Sequence, residues 1–300
     1  MRAYLTGGEG FVGGFLAAHL HAAGDEVVLS SPGVDVTDGP AVRRDLMAAA
    51  PEVIYHLAAL THVGASWDDP AETMRVNAIG TVTVLEAAWR CEPAPAVVLV
   101  SSAEVYGPGD GSLVSEAASL RPTSPYAASK VAAEFAGLQA HLGRGLGVVR
   151  ARPFNHVGAG QSDAFVVSAL ARRIAAAERA GGGEVQVGNL SSLRDFTDVR
   201  DVVRAYRLLA EAGVPGEVYN VCSGEAVEIA EVARKLCALV DVDVELVTDA
   251  ALYRPADVPV LRGDNARISE LTGWKPEISL DDTLVDVLEW WRAKLGREPS

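Results

Sequence analysis

A short apolar stretch, Met1 to Leu5, runs directly into Thr6-Gly7-Gly8-Glu9-Gly10-Phe11-Val12-Gly13, and a helical pattern follows to about Ala23. No other feature restricts the fold so strongly. A strand, a glycine turn and a helix in that order make the opening unit of a sheet that binds dinucleotides. Gly7 allows a tight turn, Gly10 lets backbone N–H groups approach a pyrophosphate, and Gly13 lets the helix pack close to the sheet. Phe11 and Val12 lie between them and share the expected site.

The first half of the chain continues the alternation. Strands are expected at Glu26–Leu29, Val53–Ala59, Ala96–Val100 and Gly147–Arg152, with helices at Gly80–Arg90 and from Pro125 onward. This predicts an α/β fold with a doubly wound parallel Rossmann sheet, which takes ligands at the carboxyl ends of its strands. Ser30 and Ser31 follow the second strand, where an acid would select NAD and repel the phosphate of NADP. Neither an acid nor an arginine stands there, so both cofactors stay open, with a slight lean to NADP. Asp35 and Val36 come next, within reach of an adenine. The third strand ends at Leu57-Ala58-Ala59, where small residues let a flat cofactor lie against the sheet edge. His56, inside an apolar run, reads as a packed core histidine. Ser102 emerges at the end of the fourth strand. Further on, helices are expected at Ala164–Ala180, Arg194–Ala212, Val227–Val240 and Thr283–Leu295, with strands at Val185–Val187 and Val218–Val221.

Ser124-Pro125-Tyr126-Ala127-Ala128-Ser129-Lys130 carries the chemistry. Pro125 suits a first helical position, because its missing N–H would be unpaired there anyway. Positions four apart share a helix face, so Tyr126 and Lys130 can point into one cleft. A free phenol titrates at about 10. A cation within a few ångströms favours the phenolate and lowers that value. The pair is therefore expected to give a proton donor or acceptor usable at ordinary pH.

With 300 residues and 49% hydrophobic content, the chain supports a large α/β domain with a smaller lobe. A formal net charge of -14 argues against a nucleic-acid partner, while leaving room for phosphate in a pocket lined by arginine. Cys91, Cys222 and Cys237 are odd in number and lack Cys-x-x-Cys spacing. They read as reduced thiols, with no metal site and no disulfide framework. No apolar run is long enough to span a bilayer, so no membrane partner is expected. The chain enters a strand at once, which leaves no room for a signal peptide and suggests a cytoplasmic location.

Together, Thr6-Gly7-x-x-Gly10-Phe11-x-Gly13, His56-Leu57-Ala58-Ala59, Ser102 and Tyr126-x-x-x-Lys130 resemble the extended short-chain dehydrogenase/reductase family over essentially the whole chain. The resemblance implies an NAD(P)-binding Rossmann domain from residues 1–153 and 193–222. It implies a nucleotide-sugar-binding lobe from residues 154–192 and 223–300. The cofactor would meet Gly7, Gly10, Phe11, Val12, Gly13, Asp35, Val36, Leu57, Ala58, Ala59, Asn77, Val100, Tyr126, Lys130, Pro153 and His156.

The segments Arg152–Gln161, Val187–Asp201, Tyr219–Gly224 and Arg254–Pro259 look most like the branch that handles GDP-sugars. That likeness implies reduction of the C4 ketone of a GDP-4-keto-6-deoxy-hexose. Ser102 would hydrogen-bond the C4 oxygen, and Tyr126 would exchange its proton. Lys130 would hold the nicotinamide ribose and lower the Tyr126 pKa. Asn155, Arg194 and Arg254 would grip the diphosphate, with Asn189 and Asp257 on the base or ribose. Asp257 stands where relatives are expected to carry glutamate. The neighbouring reaction, 4,6-dehydration, would use Glu104 as the base at C5, but Ala103 lacks the polar side chain that dehydratases carry beside it. A homodimer is implied as well, through the Gly80 and Tyr126 helices and the apolar residues Val82, Leu85, Val131, Phe135 and Leu138.

Overall fold

A computed structural model of the protein describes residues 1–252 and 258–297. The first half runs β1 (Arg2–Thr6), α1 (Phe11–Ala22), β2 (Glu26–Leu29), α2 (Gly39–Ala49), β3 (Val53–His56), α3 (Pro70–Met74), α4 (Gly80–Trp89), β4 (Ala96–Val100), α5 (Pro125–Arg144) and β5 (Val148–Pro153). Next come β6 (Asn155–Val157), α6 (Val166–Ala180), β7 (Gly183–Val187), β8 (Leu193–Asp198), α7 (Val199–Ala212) and β9 (Val218–Val221). The chain closes with β10 (Ala226–Glu228), α8 (Ile229–Cys237), β11 (Val244–Thr248), β12 (Val260–Leu261), α9 (Ala266–Thr272) and α10 (Leu280–Arg297).

The central sheet has six parallel strands in the order β2-β1-β3-β4-β5-β9. From β1 the chain steps out to β2 and then returns to β3 on the other side. That reversal opens a crevice at the carboxyl ends of β1 and β3. A parallel sheet is covered on both faces, so its strands must be apolar throughout rather than alternating. β3 and β5 are accordingly buried along their whole length. Leu16 and Leu20 of α1 and Val202 and Leu209 of α7 cover one face. Leu46, Val84 and Ala140, from α2, α4 and α5, cover the other. Ile268 and Trp274 also join the first of these cores, and the Trp274 indole N–H donates to the Asp201 carbonyl at 3.0 Å. A separate core, around Ile174, Leu236, Leu288 and Trp291, holds α6, α8 and α10 together.

The structure departs from the sequence pattern in three places. Residues Arg194–Asp198 are strand rather than the start of a helix, and α7 begins at Val199, where the Asp198 side chain caps the Arg200 N–H. β8 is a strand because β6, β10 and β12 supply its ladder. Those pairings lie far away in sequence, where local periodicity carries no trace of them. For the same reason the helix expected from Val227 starts only at Ile229, since Ala226–Glu228 pairs with β8. Helix α2, which the sequence reading passed over, starts at an Asp38 cap with Pro40 in its first turn. The three cysteines are free. Among the described residues no helix is long and apolar enough to cross a membrane.

Candidate active site

The turn after β1 is shaped by what its glycines lack. Gly7 sits at φ +69°, in the left-handed region, and a Cβ there would lie 2.8 Å from the Ala58 nitrogen. A Cβ on Gly13 would lie 2.3 Å from the Gly7 oxygen. Gly7, not Gly13, therefore makes the close approach to the sheet, at the end of β3. Gly13 instead lets α1 sit down on its own turn. Gly10 caps α1 without a side chain, and no acid stands in the first helical turn. The first N–H groups of a helix lack intrahelical partners. Here they face a cradle that fits a pyrophosphate.

That cradle opens into a cavity of about 700 Å³ between the sheet and the second core. Gly7, Gly10, Phe11, Val12, Gly13, Leu57, Ala58, Ala59, Val100, Pro153 and His156, all expected to meet a cofactor, line it. So do Ser102, Glu104, Tyr126 and Lys130. Asn155, Asn189 and Arg194 line it as well. The His156 ring stacks on Phe11, with centroids 6.3 Å apart. Two polar atoms on the wall, Gln161 Oε1 and Tyr206 Oη, are buried without a hydrogen-bond partner.

Helix α5 delivers the central pair. The Ser124 hydroxyl accepts from the Ala127 N–H, and Pro125 occupies the first turn. Tyr126 and Lys130 emerge on one face, the Lys130 ammonium 5.9 Å from the Tyr126 ring centre. Ser102 faces the Tyr126 hydroxyl closely enough to lower its pKa, and the Ser102 oxygen accepts from the Glu104 N–H at 3.2 Å. Lys130 donates to the Val100 carbonyl at 3.0 Å.

The electrostatics reverse one expectation. Burial pushes the Tyr126 phenol up to about 12; the Ser102 bond opposes this and the Glu104 charge adds to it. Burial drives the Lys130 ammonium down to about 8, against the pull of Glu134. A dry wall penalises both charges, and burial is the leading cause of each shift. At neutral pH Tyr126 is a phenol and Lys130 is mostly an ammonium. Tyr126 is thus poised as an acid rather than as a base.

Several expected residues lie elsewhere. Asp35 does not line the cavity; its carboxylate accepts from the Thr37 N–H and hydroxyl and pairs with Arg75 at 3.3 Å. The Thr37 bonds and Arg75 hold it below the usual carboxylate range. Val36 packs against Gly80. Asn77 is buried behind the wall, where it exchanges bonds with the Leu60 backbone and donates to Ser129 at 2.9 Å. It stands in a π-helical turn, Arg75–Ile79, that joins α3 to α4. Ser31, at the open cofactor-selecting position, is bonded to Asp45 by both its hydroxyl and its N–H. His56 is buried between Thr6 and Thr81, and burial takes its pKa down to about 3. Arg254 and Asp257 lie outside the described residues.

The cavity also gathers residues that sequence reasoning missed. His62 and Phe165 meet edge to face across its mouth, with ring centroids 6.4 Å apart. Arg173, Phe196 and Tyr206 line the wall as well. Phe196 lies inside the Val187–Asp201 segment, and the others belong to no short motif. Arg173 sits in an ordinary amphipathic helix, so only the fold reveals which face it presents.

Known proteins resemble the chain over nearly its whole length. The family profile described as GDP-mannose 4,6 dehydratase matches residues 31–287. The chain is 38% identical to GDP-6-deoxy-D-mannose reductase of Pseudomonas aeruginosa, over 99% of each chain. It is 30% identical to GDP-6-deoxy-D-talose 4-dehydrogenase of Aggregatibacter actinomycetemcomitans, over 91% of this chain and 92% of that one. Its structure superposes on that of RMD from Pseudomonas aeruginosa complexed with NADPH with a TM-score of 0.89. That match has 36% identity and covers 98% of this chain and 100% of the other.

Proposed function

Because the chain belongs to the GDP-mannose 4,6-dehydratase family of extended short-chain dehydrogenases/reductases, we propose that it reduces the C4 ketone of GDP-4-keto-6-deoxy-D-mannose to give GDP-D-rhamnose, with NADPH or NADH. One observation carries this reading: Ser102, Tyr126 and Lys130 line the same cavity as the dinucleotide cradle. The reduced nicotinamide supplies the hydride. Everything else falls to the chain. Ser102 and Tyr126 hold the C4 oxygen by hydrogen bonds. As that oxygen gains charge, the Tyr126 hydroxyl passes it a proton, and the phenolate left behind is stabilised by the Lys130 ammonium. A phenol held neutral by burial suits this direction of reaction. Asn155 and Arg194 grip the diphosphate, and Asn189 meets the base or ribose.

Glu104 supports a second reading. It lines the cavity and its charge reaches Tyr126, where the C5 base of a 4,6-dehydratase would be needed. One assay separates the two. The protein is incubated either with GDP-4-keto-6-deoxy-D-mannose and reduced cofactor, or with GDP-mannose and NADP. Cofactor oxidation with a rhamnosyl product in the first mixture only is expected. Formation of the keto sugar in the second would overturn the reductase assignment.

The domains follow the same logic, with residues 1–153 and 193–222 binding the cofactor and residues 154–192 and 223–300 the nucleotide sugar. The protein is a homodimer through α4 and α5. Val82, Trp89, Phe135 and Leu142 expose apolar side chains there, whereas Leu85, expected at that face, is buried in the core. Sedimentation reads the assembly directly, and a monomer at all concentrations would contradict it. A cytoplasmic setting, where reduced nicotinamides are abundant, completes the proposal, and cell fractionation tests it.

A further inference from the structure

Val100, Ser101 and Ser102 are consecutive at the carboxyl end of β4, and each meets a different turn of α5. Ser102 faces the Tyr126 hydroxyl, and the Val100 carbonyl accepts from Lys130 at 3.0 Å. The Ser101 hydroxyl donates to Glu134 Oε1 at 2.5 Å. Tyr126, Lys130 and Glu134 follow one another at intervals of four along a single helix face. The proposed chemistry uses the first two and leaves the third without a task. Yet Glu134 is fully buried, and a buried carboxylate is costly unless paired. Arg152 pairs with it twice, Nε to Oε1 at 2.8 Å and Nη2 to Oε2 at 2.6 Å. Arg152 also donates to the Tyr106 hydroxyl at 2.9 Å, which donates to Asn220 Oδ1 at 2.6 Å. The carboxylate is thereby fastened to β4, β5 and β9 at once.

We propose that Glu134 is a positioning residue for the reaction. Held by Ser101 and Arg152, it fixes the turn of α5 that carries Lys130 and keeps a negative charge one turn below the ammonium. The inference rests on the Tyr126–Lys130 assignment above. Glu134 is the group that opposes the burial of Lys130. The other groups around the pair do not replace it. His56, from β3, is neutral at working pH and feels Lys130 as a repulsion. Arg150 and Arg152, from β5, are cations beside Glu134. Tyr126 is a phenol, and Glu104 faces it from beyond.

The chain has four lysines, Lys130, Lys235, Lys275 and Lys294, so carbon-13 NMR of the ε-carbons can follow Lys130 alone once a Lys130→Arg sample assigns it. Glu134→Gln should move the Lys130 midpoint down by about one pH unit, and the alkaline limb of kcat with it. Leaving Arg152 unpaired can unfold the protein, so the double variant Glu134→Met, Arg152→Met is measured too. Replacing a buried pair by apolar chains of similar volume often preserves stability. The double variant should shift the midpoint in the same direction. An unmoved Lys130 midpoint in either folded variant overturns the proposal, even if turnover falls. A shifted midpoint in a protein that does not turn over the keto sugar would uphold the proposal and defeat the reductase reading instead.

Discussion

Tyr126 and Arg194 line the same cavity from walls of different construction. The wall that carries Tyr126 is assembled from short-range devices: a glycine turn, strand ends of one parallel sheet, and a helix capped by Ser124. Its working groups are buried, with Tyr126 at 7% and Lys130 at 6% exposure, so each charge there is shifted from its ordinary state. The wall that carries Arg194 hangs on β8, whose partners β6, β10 and β12 lie far apart in sequence. It is fastened by the buried Asp195 carboxylate, which accepts from Ser223 and from the N–H groups of Gly224 and Gly263. Arg194 itself is only half-buried. On the proposed reading, chemistry sits in the dry, locally specified wall, and substrate choice in the more exposed wall built from long-range pairings.

The largest effect should come from breaking the dry wall. Lys130→Met is expected to lower turnover by roughly 10²–10⁴-fold. It should also stabilise the fold at neutral pH by roughly 2–3 kcal/mol, because a lysine held at about 8 instead of 10.5 is charged there against its burial. Between those two values the unfolded chain binds the proton and the folded chain does not. Wild-type stability should therefore rise with pH across that window, and the variant should lose the rise. Urea unfolding at a series of pH values measures both. A smaller effect is expected on the other wall. Arg194→Met should raise KM for the nucleotide sugar by roughly 10-fold, the worth of a charged hydrogen bond, and leave cofactor affinity as it was. An equal loss of cofactor binding would erase the distinction between the walls.

The same contrast explains how much could be read from the sequence. Gly7, Gly10, Ser102, Tyr126 and Lys130 are set by turn geometry, strand ends and helical spacing, all of which are local patterns. The motif names Arg194, but local periodicity reads its strand as a helix start, since the partners that make β8 a strand leave no local signature. Phe165 and Arg173 reach the cavity only through the packing of one core against another. The direction of the Tyr126 shift was missed for a related reason. Spacing places a cation near the phenol, but only the fold shows how dry that place is.

The most direct test of the account is the Tyr126→Phe variant, assayed with GDP-4-keto-6-deoxy-D-mannose and reduced cofactor beside a cofactor-binding measurement and a melting curve. The account predicts a fall in turnover of about 10²–10⁴-fold with cofactor affinity and Tm close to wild type. Turnover near the wild-type rate in a folded, cofactor-binding variant would contradict it.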